Sequence, residues 1–586
     1  VRLEHDDRFS YLGRLDNQLK IRGFRIEPSE VEAAINALEG VQVSAVVGRA
    51  DNSGSKQLIA FIAGLLDDKG NQKDKIKRGL RLVLPEYMVP TELVFVDKLP
   101  TTPSGKIDRK ALLKVDIIIE SSTQMPERPL TKTQEQVKAL WETLFPGRHI
   151  ALHDDFFAIG GHSLLATQLV FLLRKAFDCD IPLRLLFNHP TLSAMAESID
   201  GYIASEKGPV DAVDRSFVQD GYERIHWQGG VRSTPGLTLL TGATGFLGIY
   251  LLRSLLLAGT QSVLCMVRAR TDEQALARLR ENAMRYGIAD EIDFSRVEVC
   301  LGDIGQRNLG LSSEAYSRLA ERVDTVFHAA AQINFLLSYS SVKQSNVQGT
   351  LNILAFCGCG GRKTLHYLST IAVFSPRYPQ SPIVEHCVPG HPEALSIGYT
   401  QSKWVAERYV IQAREQGLDA NVFRIGRIGG DSRSGACQSD DFLWRQIKSF
   451  IQMGLAPDPS SLSTDLLPVD FVAEAIVALA RSEATRQENF HIFHPQSTRF
   501  DPVYRAIRSL GYPLETTSDG EWLQQLELCV TQGREVALGP VIHLFKENLL
   551  DTGDNVYGNP ETTKRIAQLG LRFPELSEET FKRMIV

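Results

Sequence analysis

Several features that would assign a protein quickly are missing from this sequence. No apolar run approaches the ~20 residues a bilayer-spanning helix requires, so no membrane association is expected. No sign of charge dominates: 64 Lys and Arg against 70 Asp and Glu leave a net charge of −6, which argues against a general nucleic-acid binder. The opening VRLEHDDRF has neither a charged-then-apolar signal pattern nor an initiator Met, and reads as a cut from a longer chain. The eight cysteines are scattered, with Cys357 and Cys359 the one close pair. Without a CxxC pair no zinc or redox site is expected, no other metal is called for, and reduced thiols in the cytoplasm are the default. No repeat of fixed period is evident.

What the sequence does contain is ordinary soluble composition, 43% hydrophobic and 23% charged, spread over 586 residues. That length exceeds one core and predicts about three or four domains. Residues 1–115 mix short strands (VSAVVGRA, QLIAFIAG, LVFVDKL) with helical stretches such as SEVEAAINAL, the texture of a small α+β unit. A polar connector, ESSTQMPERPLT, leads to residues 130–205, where TQEQVKALWETLF, SLLATQLVFLLRKAF and TLSAMAESIDGYI are amphipathic helical runs. From about 236 the pattern alternates strand, Gly-rich turn, helix and strand, which predicts a doubly wound parallel sheet.

The stretch GATGFLG, with Gly242, Gly245 and Gly248, follows an apolar strand and opens an apolar helix. Glycines there permit a tight turn and close approach of backbone to a pyrophosphate, while the helix N-terminus offers unpaired N–H groups. The next strand ends at Arg268, where an acidic residue would take a ribose 2′-hydroxyl and an arginine suits a 2′-phosphate; NADPH is therefore expected over NADH. Arg278, on the following helix, is a candidate second contact. Asp303 and Ile304 end another strand where an adenine contact is expected. Ala329 and Ala330, behind His328, are small enough to let a cofactor lie against backbone, and His328 itself reads as structural.

Tyr399 and Lys403 are four residues apart in a helical run, hence on one face. A nearby ammonium lowers a phenol's pKa and suits it to proton transfer at neutral pH. Upstream, HYLSTIAVF is a strand end carrying Ser369 and Thr370, whose hydroxyls suit a carbonyl oxygen. This combination resembles the extended short-chain dehydrogenase/reductase superfamily. From about 236 onward the chain looks like the thioester reductase domains that terminate nonribosomal peptide synthetases, on GATGFLG, VRA, HAAA, the NVQGT that begins at Asn346, Tyr399/Lys403 and FRIGRIGG. The resemblance implies that Thr370, Tyr399 and Lys403 form the catalytic triad. Thr370 would hold the oxygen, Tyr399 would protonate it, and Lys403 would bind the nicotinamide ribose and tune Tyr399. Asn346 would fix neighbouring backbone. The resemblance also brings Thr244, Phe246 and Leu247 of the glycine turn into the cofactor site. Residues 236–434 would be mainly the NADPH-binding Rossmann part of a reductase spanning 220–586, and 435–586 mainly a substrate lobe.

Ser163, in DDFFAIGGHSLL, stands at the start of an apolar helical run, which alone predicts a helix N-cap. The whole string is similar to the carrier-protein motif of peptide synthetases. That implies a four-helix carrier bundle with 4′-phosphopantetheine on Ser163, installed by a phosphopantetheinyl transferase and holding the acyl or peptidyl substrate as a thioester. Further upstream, GRLDNQLKIRGFRIE resembles the hinge motif of adenylate-forming enzymes, with the hinge at Asp16. PTTPSGKIDRKAL resembles the last motif of their C-terminal subdomain, with the catalytic lysine at Lys106. No Ser/Thr/Gly-rich phosphate loop precedes them, so Lys106 is expected to be idle and the chain not to adenylate.

The expected whole is a multidomain chain of adenylation C-terminal subdomain, carrier and NADPH-dependent reductase. It would act in the cytoplasm as a monomer beside upstream synthetase domains that include the adenylation core. Hydride attack on the thioester would give a thiohemiacetal that collapses to an aldehyde, and a second reduction would give an alcohol. Carboxylic acid and aminoadipate reductases share this domain order. A Dieckmann-type release without redox, and an inert reductase fold, are the further alternatives.

Overall fold

The computed structural model describes residues 216–227, 236–542 (except 336, 362, 377, 440, 483–484, 533 and 535) and 555–585. Earlier in the chain it describes 2–3, 9–10, 19–21, 24–26, 28–36, 38, 40–50, 56–64, 76, 80, 88–90, 92–96, 98–100, 107–113, 130–146, 148, 150–157, 159–161, 163–177, 179, 181, 185–186 and 189–204. Asp16 and Lys106 lie outside the described residues. The chain divides into two compact units, Val1–Gly208 and Pro209–Val586.

Within the first unit, strands Val43–Ala50 and Lys56–Ala63 pair antiparallel, and Glu92–Phe95 joins the second in parallel. Helix Pro28–Asn36 packs Val31, Ala34 and Ile35 on one face of this sheet. Its Glu32 anchors Arg109 through both carboxylate oxygens, at 2.7 and 2.9 Å. Farther along, helices Lys132–Leu144, Ser163–Phe177 and Leu192–Ala204 close on a separate apolar core around Trp141, Phe156, Leu169 and Ile199. The first of these helices opens with a reciprocal capping box between Thr131 and Gln134, so two end groups are satisfied locally.

The second unit is built on a seven-stranded sheet in which every pairing is parallel. Its elements, labelled within this unit, are β1 Leu237–Thr241, α1 Phe246–Leu257, β2 Val263–Val267, α2 Asp272–Arg285, β3 Val297–Leu301, β4 Val323–His328, α3 Gly349–Gly358, β5 Thr364–Thr370, α4 Gly398–Glu415, β6 Asp419–Ile425, α5 Val469–Arg481 and β7 Asn489–Ile492. The spatial order is β3-β2-β1-β4-β5-β6-β7, so the strand order reverses between β1 and β4. Successive residues point to opposite faces. Leu240, Phe327 and Phe423 enter the core under α1 and α5, whereas Leu239, Val326 and Val422 enter the core under α3 and α4. Burial on both faces is why these strands read as continuous apolar runs.

The sequence division near residue 435 is crossed by the sheet: α5 and β7 come from beyond it and complete the Rossmann core. The rest of that portion forms helices Phe442–Met453, Asp501–Ser509, Asp519–Thr531 and Glu578–Ile585, with strand Leu455–Pro457 paired to Glu515–Thr517.

Candidate active site

The carboxyl ends of β1, β4 and β5 meet in register, with Thr241 opposite His328 and His328 opposite Tyr367. The strand order reverses between β1 and β4 at this end of the sheet, the place at which open α/β sheets bind ligands. Gly242 leaves β1 with φ +78°, and a Cβ there would stand 2.7 Å from the Ala330 nitrogen. A Cβ at Gly248 would stand 1.9 Å from the Gly242 carbonyl oxygen, so α1 and the turn touch backbone to backbone. Gly245 caps α1 without a side-chain hydrogen bond, leaving N–H groups of the first turn directed outward. Asn282 of α2 braces the turn by donating to the carbonyls of Thr244 and Gly245 at 3.1 and 3.2 Å. Thr244 is exposed beside Gly245, and Phe246 and Leu247 begin α1, half-buried. This is a cradle that a Cβ would fill, with the shape and donors a pyrophosphate needs.

Arg268 lies exposed just past β2, and Arg278 of α2 donates to its carbonyl at 2.5 Å. Arg278 thus shapes the Arg268 backbone. Asp303 Oδ1 accepts from the Gly305 nitrogen at 2.9 Å, and the Ile304 carbonyl accepts from Asn352 at 2.7 Å, so this turn is rigidly held. Ala330 N donates to Thr241 Oγ1, the Thr241 hydroxyl reaches His328 Nδ1 at 2.9 Å, and His328 Nε2 reaches Thr350 Oγ1 at 3.2 Å. Thr350 donates onward to the Asn346 carbonyl. With both threonine protons so directed, His328 is neutral and carries its proton on Nε2. Burial pushes its pKa down to about 3.

Tyr399 stands in the first turn of α4, half-buried, with the Phe335 ring edge-on at 6.0 Å. One turn later Lys403 is buried, donates from Nζ to the Leu368 carbonyl of β5 at 2.6 Å, and lies 4.2 Å from the Tyr367 ring centroid. Two residues on, Thr370 ends β5 with its Oγ1 accepting from the Ala372 nitrogen at 3.3 Å, a bond that does not use the hydroxyl proton. The adjacent Ser369 is turned into the core and donates to Glu407 Oε2 at 2.5 Å. Asn346 donates to Ser402 Oγ at 2.9 Å and brackets Gln332 through both its amide atoms, tying α4 to the segment after β4.

One expectation fails. The neighbouring ammonium is expected to lower the Tyr399 pKa, yet desolvation raises it. Lys403 is itself pushed down to about 7 by burial, partly offset by Glu407, and its ammonium is engaged by Leu368. Loss of water on burial sets the direction for Tyr399. Sequence reasoning also missed Asn282, Glu407 and Arg424. The i,i+4 spacing of Lys403 and Glu407 on a helix with Trp404 and Val405 buried was the available sign.

In the first unit, Ser163 is the first residue of helix Ser163–Phe177, and Gly160 before it has φ +113°, a conformation that favours glycine. Fold and site together define a carrier domain and a nicotinamide-dinucleotide-binding reductase on one chain. Comparison with known families agrees. Residues 240–476 match the male sterility protein family of NAD-binding domains, 135–199 the phosphopantetheine attachment site, and 30–106 the AMP-binding enzyme C-terminal domain. The terminal R domain of the myxalamid PKS-NRPS biosynthetic pathway aligns at 32% identity with a TM-score of 0.59, over 63% of this chain and 96% of that one. A linear gramicidin synthase of Brevibacillus parabrevis is 37% identical over all of this chain and 12% of its own length. The L-2-aminoadipate reductase large subunit of Penicillium chrysogenum is 31% identical over 92% of this chain and 43% of its own. The chain thus spans less than half the length of these curated relatives. It belongs to the terminal reductase domain family of nonribosomal peptide synthetases, preceded by a carrier and an adenylation C-terminal subdomain.

Proposed function

We propose that this chain releases an acyl or peptidyl thioester from its own carrier by reduction to an aldehyde, with further reduction to an alcohol at the same site. The observation that carries this reading is that Lys403, one turn after Tyr399 on α4, bonds β5 two residues before Thr370, at the same end of the sheet as the glycine cradle of β1. Bound NADPH supplies the hydride for the carbonyl carbon. The N–H groups at the start of α1 hold the pyrophosphate, and Arg268 takes the 2′-phosphate, held in place by Arg278. Thr370 donates to the carbonyl oxygen and favours the charge that develops there. Tyr399, kept protonated by its raised pKa, gives its proton to that oxygen, and the Lys403 ammonium stabilises the phenolate left behind. Ser163, first in its helix, carries the phosphopantetheine that presents the thioester, and the N-terminal dipole favours the phosphodiester.

The partners are the phosphopantetheinyl transferase that modifies Ser163 and upstream synthetase domains, including an adenylation core, in the cytoplasm. Residues 1–115 act as the adenylation subdomain, 130–205 as the carrier and 220–586 as the reductase, in a monomer. Among the described residues no helix is long and apolar enough to cross a membrane. The test loads the holo-carrier with an octanoyl group, adds NADPH and looks for octanal or octanol. NADPH oxidation coupled to release separates this from Dieckmann-type release. Absence of product, with Tyr399→Phe indistinguishable from wild type, overturns the reading.

A further inference from the structure

A buried ion pair lies directly beneath the β5 end, and the reading above gives it no task. Glu407 and Arg424 are both fully excluded from solvent. Glu407 Oε1 is 2.9 Å from Arg424 Nε, which donates to it, and 2.9 Å from Nη2, while Oε2 accepts from Ser369. Arg424 Nη1 donates to the Glu385 carbonyl at 3.1 Å and lies 3.2 Å from His491 Nε2. His491 Nδ1 faces the Gly558 carbonyl at 2.9 Å, so it carries the ring proton and leaves Nε2 to accept from Arg424. Taking two such charges from water costs several kcal/mol per ion, and apolar side chains of similar volume commonly stabilise a core at least as well. Packing alone therefore does not account for this pair.

Its position does. Glu407 follows Lys403 by one turn of α4 and shares its face. Among the described residues no carboxylate bonds Lys403 directly. The titratable and charged groups facing it are Tyr399 and Glu407 from α4, Tyr367 from β5, neutral His328 from β4, and Arg424 from β6 behind Glu407. On the outer side of α4, Asp220 of helix Ser216–Tyr222 is taken up by Lys343 at 2.7 Å and by the Tyr339 hydroxyl. Glu407 is the anion that opposes the loss of the Lys403 proton in this desolvated site.

We infer that Glu407 is a positioning residue of this reaction, gripped by Arg424 and Ser369 so that one carboxylate keeps Lys403 cationic toward the dinucleotide and ties α4 to the strand end presenting Thr370. The inference rests on the reductive reading, but its Lys403 half is a binding property that can be read without turnover.

The experiment titrates NADPH binding by NADPH fluorescence, on the full chain, across pH 6 to 9, an interval that includes the Lys403 value of about 7. Wild-type affinity weakens as pH rises through the Lys403 ionisation. In Glu407→Gln that weakening sets in about one pH unit lower. Glu407→Asp keeps the charge and returns the onset toward wild type. If the Gln variant does not fold, Glu407→Gln/Arg424→Met removes both charges together, and its onset is also lowered because Glu407, one turn along α4, is the partner that acts on Lys403. The phosphate's own titration is common to all the proteins and cancels. Coincident onsets in wild type and in the Gln variant that folds overturn the inference. Loss of octanal formation with the onset shift intact would instead reject the reductive reading, which Tyr399→Phe tests by product.

Discussion

Ser369 and Glu407, 38 residues apart, share a 2.5 Å hydrogen bond in the core, while Thr370, the very next residue, is half-buried and accepts from the Ala372 nitrogen. Two neighbouring hydroxyls on one strand therefore have separate partners. Thr370→Val is expected to slow release about 10²-fold with little change in stability, the usual loss for one oxyanion donor. Ser369→Ala is expected to cost about 1–3 kcal/mol of stability, because Glu407 loses a donor in a dry site. Single-turnover release and denaturant midpoints of both variants check the division. A Ser369→Ala protein with wild-type stability contradicts it.

Lys403 gives a pH dependence of stability as well as of binding. Its folded pKa of about 7 lies below its unfolded value of 10.5, so between these the unfolded chain holds more protons. The group's contribution is fully present above 10.5 and is lost as pH falls through about 7. Without cofactor, the melting temperature of the second unit should rise from pH 7 toward pH 9, by an amount reduced in Lys403→Met; a variant with an unchanged slope argues against it.

Acid should unfold the second unit for a different reason. His328, His366 and His491 are each pushed down to about 3, first of all by burial. Their contribution is present above the ordinary 6.5 and is lost as pH falls toward 3. His366 packs against Phe327 at 4.5 Å and its Nδ1 has no hydrogen-bond partner. Calorimetry of His366→Phe between pH 7 and 4 should show a shallower loss of stability than wild type, by about one third if the three contributions are alike.

Arg268→Ala should weaken NADPH about tenfold, equivalent to 1.4 kcal/mol, and leave NADH unchanged. Fluorescence titration with both cofactors measures this. An equal loss for the two would place Arg268 away from the 2′-phosphate.

Gly248→Ala should abolish dinucleotide binding, since its methyl would lie 1.9 Å from the Gly242 carbonyl and only backbone movement of the turn relieves that contact. Isothermal titration with NADPH is the check, with Gly520→Ala, where a Cβ meets open space and φ is not positive, as the control.

Much of this site was legible in the sequence because it is made of short-range patterns. GATGFLG announces its turn through glycines that must sit between a strand and a helix, and Gly242 and Gly248 do leave no room for a Cβ. Tyr399 and Lys403 share a helix face because four residues make about one turn. Arg268 falls at the end of β2 because the apolar run VLCMV ends there. What stayed hidden depends on distant segments meeting. Glu407 finds Arg424 only because β6 lies beside β5 under α4, and Asn282 reaches the glycine turn from 37 residues away.

The sequence by itself therefore determined the strand–turn–helix of the candidate cofactor site, the residue types at the end of β5 and start of α4, and the helix that begins at Ser163, since each is encoded within a few consecutive residues. Only the tertiary structure decided the strand order, the partner that Ser369 finds in Glu407, and the rise rather than fall of the Tyr399 pKa. Those depend on which groups lose their water and which charges face them once the sheet is assembled, and no local pattern carries that information.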